Sequence, residues 1–89
     1  MKFHVYILQC SDNSLYCGST NGLNRRLEQH QIGKGAKYTR ARLPLTLVFQ
    51  REFTTLKKAR RYEREVKGWR REKKMELIKQ GHLYKKSND

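Results

Sequence analysis

Acidic residues are scarce in this chain of 89 residues: 8 Asp and Glu stand against 21 Lys and Arg, a formal net charge of +13. Such an excess opposes self-association and attracts polyanions, so the expectation is a monomer whose leading partner is nucleic acid, DNA or RNA. Long apolar runs and lipidation signals are missing, which argues against a membrane-spanning helix and leaves an anionic lipid surface as the weaker class of partner. The start, Met1-Lys2-Phe3-His4, lacks the apolar core of a signal peptide. Cysteine is limited to Cys10 and Cys17, without CxxC or Cys/His spacing, so neither a zinc site nor a disulfide framework is supported. Both read as small apolar strand residues in a reducing, cytoplasmic compartment. Internal repeats, linkers and a Walker A spacing are absent too, and no small-molecule cofactor is expected. What remains is one domain, residues 1–81, near the lower size limit for a self-sufficient core, with a polar tail at 82–89 expected to fray.

The informative stretch runs from Val5 to His30. Phe3 to Cys10 is rich in aromatic and β-branched residues, with Phe3, Val5 and Ile7 alternating, and Leu15 to Ser19 returns as a second strand. Ser11-Asp12-Asn13-Ser14 between them is turn chemistry. A two-residue loop at Asp12-Asn13 would put Tyr6 and Tyr16 on opposite faces. A three-residue loop from Asp12 to Ser14, with Asn13 left-handed, pairs Tyr16 with Cys10 and puts both tyrosines on one face, the arrangement expected here.

Asn21 or Thr20 can cap a helix from about Gly22 to Ile32. On it Leu23, Arg26, Leu27 and His30 share a stripe, whereas Arg25 and Glu28 point elsewhere. Read on their own, Arg26 snorkels and His30 is an ordinary edge residue. Phenol, guanidinium and imidazole in one segment nevertheless suit the handling of a phosphodiester. Gly33 to Pro44 is a basic connector, with a short helical turn near Ala36 to Ala41. Lys34, Lys37, Arg40 and Arg42 around Tyr38 read as an edge that tracks phosphates, with a ring available for stacking.

Leu45-Thr46-Leu47-Val48-Phe49 is nearly all apolar and reads as the central, most buried strand. Thr54 or Thr55 caps the longest helix, about Leu56 to Lys67, with Gly68 at its end. Leu56, Ala59, Tyr62, Val66 and Trp69 form its apolar stripe, and Glu63 falls within that stripe. A carboxylate among apolar neighbours needs a counter-charge, either an arginine or a hard divalent cation. Arg60, Arg64 and Lys67 on the outer face extend the phosphate-tracking surface. A last helix from Arg70 to Lys79 turns Met75 and Ile78 inward and stops at Gly81, with Trp69 plugging the junction between the two helices.

With these elements placed, the chain resembles the GIY-YIG nuclease family, closest to its small, single-domain bacterial branch. The two triplets appear as Val5-Tyr6-Ile7 and Tyr16-Cys17-Gly18. Arg26 follows Gly18 by eight residues, His30 fills the place of a family His or Tyr, and Ala59-x-x-x-Glu63 matches the family's metal-binding glutamate. The run from Gly33 to Arg40 looks like a signature of the small branch.

The resemblance implies an α+β fold, a three-stranded antiparallel sheet flanked by helices in the order β-β-α-β-α-α. It also implies metal-dependent hydrolysis of nucleic-acid phosphodiester bonds, most simply DNA in repair or processing, with low sequence specificity because no separate recognition domain is present. In that scheme Glu63 holds Mg²⁺ or Mn²⁺, Arg26 binds a nonbridging phosphate oxygen, Tyr16 is the general base, Tyr6 orients or substitutes for it, and His30 relays the proton or contacts phosphate. Two alternatives remain: a nucleic-acid-binding module that keeps the fold without turnover, and a basic protein-interaction adaptor.

Overall fold

The computed structural model describes residues 2–87, with side chains as far as Gln80. A hairpin of β1 (Phe3–Gln9) and β2 (Leu15–Thr20) leads into α1 (Leu23–Gln31) and the short α2 (Lys37–Arg40). Then come β3 (Thr46–Phe53), α3 (Leu56–Lys67) and α4 (Arg71–Ser87). The three strands form one antiparallel sheet in the order β2-β1-β3. The α+β class and element order are those expected, with the helical turn of the basic connector realised as α2.

The hairpin loop has the expected length and the expected left-handed Asn13 (φ 68°), but begins one residue earlier. Cys10 N donates to Ser14 O at 2.9 Å, and Asn13 N donates to Cys10 O at 2.9 Å, so Ser11 to Asn13 form the loop. Tyr16 therefore faces Leu8 rather than Cys10. Asp12 fixes this choice by accepting from Ser14 N at 3.0 Å and from Arg42 Nε at 3.1 Å. A shift of two positions keeps the parity of side chains, so Tyr6 and Tyr16 still share a face.

The centre of the sheet is β1, not the Leu45–Phe49 segment. Val5, Tyr6, Ile7 and Leu8 are all buried, because helices cover both faces of β1, whereas β3 lies at an edge with Thr46, Arg51 and Glu52 exposed. Val48 is an extra residue on β3, where the pairing passes from Ile7–Phe49 to Leu8–Leu47. The sheet divides the interior in two. Val5, Ile7, Cys17 and Phe49 pack with Ala59 and Val66 of α3 on one side. Tyr6, Leu8, Cys10 and Leu45 form the other cluster, with Leu23 and Leu27 of α1 against it.

The helix ends follow local chemistry. Thr55 Oγ1 accepts from Lys58 N at 3.2 Å and caps α3, and Gly68 ends it. On α1 the capping position is Gly22 rather than Asn21 or Thr20, and Thr20 Oγ1 accepts from Gly22 N at 3.1 Å. Two stripe positions differ from expectation. Leu56 and Met75 are exposed, and Leu77 packs beside Ile78 in place of Met75. Gly81 does not stop α4, whose backbone stays helical to Ser87; glycine weakens a helix but need not end it. The expected tail from His82 otherwise lies outside the residues whose side chains are described. Among the described residues no helix is long and apolar enough to cross a membrane.

Candidate active site

A file of hydrogen bonds runs through the buried side of α1. Tyr6 Oη lies 2.9 Å from His30 Nε2, and His30 Nδ1 lies 2.9 Å from Thr39 Oγ1. Thr39 Oγ1 donates its one hydrogen to Ala36 O at 3.1 Å, so it must accept from Nδ1–H. That fixes the tautomer, and the lone pair on Nε2 then accepts the Tyr6 hydroxyl proton. His30 and Thr39 are completely buried, so the imidazole is no edge residue.

Two glycines make room for this file. A Cβ on Gly18 would stand 2.6 Å from Tyr6 Oη, and one on Gly35 would stand 2.2 Å from His30 Nδ1. The Gly33–Arg40 run thus has a physical purpose: Gly35 passes over the imidazole and Thr39 takes its proton side. Neither Gly35 nor Thr39 stood out in the sequence as a site residue. Their significance depends on where His30 lands, which local patterning does not reveal.

Electrostatics keep the file neutral. Burial raises the Tyr6 phenol above its ordinary value, against a hydrogen bond and charge from Arg26 that pull it down. Burial, and secondly the charge of Arg26, lowers His30 below the usual imidazole range. At neutral pH Tyr6 is a protonated donor and His30 an uncharged acceptor.

The second tyrosine borders this pair. Tyr16 makes an edge contact with His30 at 5.4 Å between ring centroids and lies 6.5 Å from Tyr6. Tyr38 stacks on Tyr16 at 6.3 Å, and the Arg42 guanidinium sits 3.8 Å from the Tyr38 ring centre. Arg42 also pairs with Asp12 and donates to Tyr38 O at 2.9 Å. The Tyr38 ring and the Arg42 charge are thereby committed to bracing Tyr16 and the hairpin, whereas Lys34, Lys37 and Arg40 stay exposed.

Glu63 approaches from the other side of the sheet. Its Oε1 accepts a short hydrogen bond from Ser19 Oγ, and its Oε2 lies 2.6 Å from Lys67 Nζ. The expected counter-charge is present, but it is a lysine one helical turn along and not an arginine. Burial alone would raise the carboxyl; hydrogen bonds from Lys67 and Ser19, with the charges of Lys67 and Arg60, outweigh it and hold Glu63 below its ordinary value.

Between the two sides, along the outer edge of β2, opens a cleft of about 670 Å³. Ser19, Thr20 and Asn21 form its floor, Arg25, Arg26 and Gln29 one wall, and Leu56 and Arg60 the other. Arg26 Nη1 donates to Gln29 Oε1 at 3.1 Å. Arg25 does not point elsewhere but lines the cleft beside Arg26, an addition to the expected residues. Arg60, expected on the outer face of α3, lines the cleft instead, and Arg64 is exposed and does not line it. Three guanidiniums around a polar floor are suited to phosphate.

Among the described residues no three His, Cys, Asp or Glu side chains are grouped to hold a metal. Glu63 alone fits a hard cation of the magnesium type. Such ions keep most of their waters and need only one or two carboxylates beside a phosphate.

A sheet with Tyr6, Tyr16, Arg26, His30 and Glu63 gathered around one edge defines a protein class: residues 2–76 match the GIY-YIG catalytic domain, and the chain belongs to that family. Within it, the chain is similar to small proteins that consist almost entirely of this domain. It is 44% identical over 79 residues to a UPF0213 protein of Staphylococcus haemolyticus, covering 89% of this chain and 96% of the relative. It is also 46% identical to a UPF0213 protein of Bacillus halodurans solved in solution (TM-score 0.62, 94% of this chain and 90% of that one). A solved protein of E. faecalis is 35% identical, with a TM-score of 0.65, over 93% of this chain and 88% of that one.

Proposed function

We propose that the protein is a metal-assisted endonuclease of low sequence specificity, acting on nucleic acid and most simply on DNA. The observation behind this reading is the Tyr6–His30–Thr39 file, which gives a buried phenol beside Arg26 of the cleft a ready acceptor for its own proton. A water attacking phosphorus must lose a proton, and Tyr6 can take it while passing its own to Nε2. Of the two phenols, hydrogen bonding therefore favours Tyr6 as the base over Tyr16, whose ring packs against His30 and Tyr38. Arg26, permanently charged and beside Tyr6, would hold a nonbridging oxygen as charge grows on it. Arg25 and Arg60 would hold neighbouring phosphates, and Lys34, Lys37, Arg40 and Arg64 would track backbone farther out. Glu63 would hold the Mg²⁺ or Mn²⁺ ion, whose chemistry is to offset charge on the phosphoryl and leaving oxygens.

One observation favours the second reading, a binding module without turnover: Lys67 already occupies Glu63 Oε2. Cleavage of labelled single-stranded, duplex and branched DNA, and of RNA, separates the two. Nuclease action predicts cutting that needs Mg²⁺ or Mn²⁺, stops with chelator, and falls by about a hundredfold or more in Arg26→Ala and Glu63→Ala. Salt-sensitive binding without cutting, unchanged in Glu63→Ala, would leave only the binding module.

A further inference from the structure

We propose that Lys67 is a tethered competitor for the metal position: its ammonium stands in for the divalent ion on Glu63 Oε2 and must leave before an ion can bind. The inference rests on the nuclease reading above, and concerns how the metal site is filled. Glu63 has two carboxylate oxygens, and each has a partner among the described residues. Ser19 Oγ, fixed on β2, holds Oε1, which sets the plane of the carboxylate. Oε2 faces Lys67 Nζ at 2.6 Å, one helical turn away on α3. The two contacts differ in mobility. Ser19 has a short side chain on a strand, whereas Lys67 is 53% exposed and has a long, freely rotating stem. The Lys67 contact can swing well into solvent without moving backbone, whereas Ser19 Oγ stays beside Glu63 on β2.

The exchange has a clear direction. Lys67 pairs with Glu63 and the Arg60 guanidinium adds its charge, so a dication meets repulsion and a carboxylate already neutralised. A bound phosphodiester reverses this by bringing negative charge and a second oxygen ligand, and the displaced ammonium remains close enough to the entering backbone to stay paired. The protein would then take its ion together with substrate, not ahead of it.

Mn²⁺ titrated into the metal-free protein, with the free ion followed by electron paramagnetic resonance, tests this without any reaction. Lys67→Met and Lys67→Gln should bind Mn²⁺ more tightly than the natural protein by about two- to tenfold, the scale set by a half-exposed ion pair whose acid is mostly buried. The gain should vanish in the Lys67→Met/Glu63→Gln double variant. Circular dichroism checks that each variant is folded, as the exposure of Lys67 leads one to expect. Equal or weaker Mn²⁺ binding in both Lys67 variants, with binding still dependent on Glu63, would overturn the competitor role and leave the nuclease reading standing. Mn²⁺ binding indifferent to Glu63→Gln would overturn both.

Discussion

Gly35→Ala is the most exacting test of the buried file, because nothing about Gly35 itself demands glycine except the ring beneath it. Its added methyl carbon would stand 2.2 Å from His30 Nδ1 and 2.7 Å from both Cε1 and Cγ, well inside contact distance. The ring cannot step aside cheaply, since it is fully buried and bonded at both nitrogens. Forcing a methyl into a filled interior costs about 1–3 kcal/mol, and each hydrogen bond lost adds about 1 kcal/mol. For a domain of this size that corresponds to a fall in Tm of roughly 10–20 °C. Gly22→Ala is the matched control, because its methyl meets only the end of the flexible Arg25 side chain, at 3.0 Å.

The decisive comparison is a double-mutant cycle in thermal or urea unfolding. His30→Ala removes the ring, and the Gly35→Ala methyl then has space, so the two losses should fail to add by about 1–2 kcal/mol in the compensating direction. Additive losses, or a Gly35→Ala protein as stable as the Gly22→Ala control, would mean that His30 is not packed under Gly35 and that the file is misdrawn.

Two further outcomes are expected. The His30 proton equilibrium is lowered from 6.5 on folding, so at pH just below 6.5 the unfolded chain binds a proton that the native protein does not. Stability should therefore fall as pH drops below that value. Glu63, lowered from 4.5, contributes stability that is present above its unfolded value and is lost as pH falls through its folded one. Urea midpoints that stay flat from pH 7.5 to 5, with a His30 ring resonance titrating normally by NMR, would contradict this. The Cys17 thiol, pushed up to about 11 by burial and then by the Glu63 carboxylate, should resist thiol reagents at pH 8 until the protein is unfolded; rapid modification of the native protein would show that β2 is open at that position.

The sequence made some of this site legible and hid the rest for physical reasons. Helical periodicity was enough to put Arg26 and His30 on one stripe, and strand parity was enough to bring Tyr6 and Tyr16 to one face despite the loop's offset. Periodicity also flagged Glu63 as a carboxylate in need of a cation. It could not choose Lys67 over an arginine, because i,i+4 pairing on α3 and burial against β2 compete at the same residue. The central place given to Leu45–Phe49 was avoidable. In a three-stranded sheet whose first two strands pair as a hairpin, the third can join only outside the pair and is always an edge. Apolar content misled there, since β1 spreads its apolar residues over two faces.

That edge arrangement also explains how two separate cores can build one site. Tyr6, Tyr16 and His30 belong to the cluster under α1, whereas Glu63 belongs to the side covered by α3. A sheet is an effective partition, and residues on opposite faces of a central strand do not meet. They can meet only around an edge, and β2 is one. Its two adjacent residues act in opposite directions. Gly18 turns no side chain toward α1 and so lets the Tyr6 hydroxyl reach the margin, while Ser19 points toward α3 and holds Glu63 there. Exchanging the two residues would keep the composition and the hairpin but block the phenol and release the carboxylate. The second triplet is therefore a constraint on geometry as much as a source of chemistry: its tyrosine packs against His30, and its glycine leaves the space that the first triplet's phenol hydroxyl occupies.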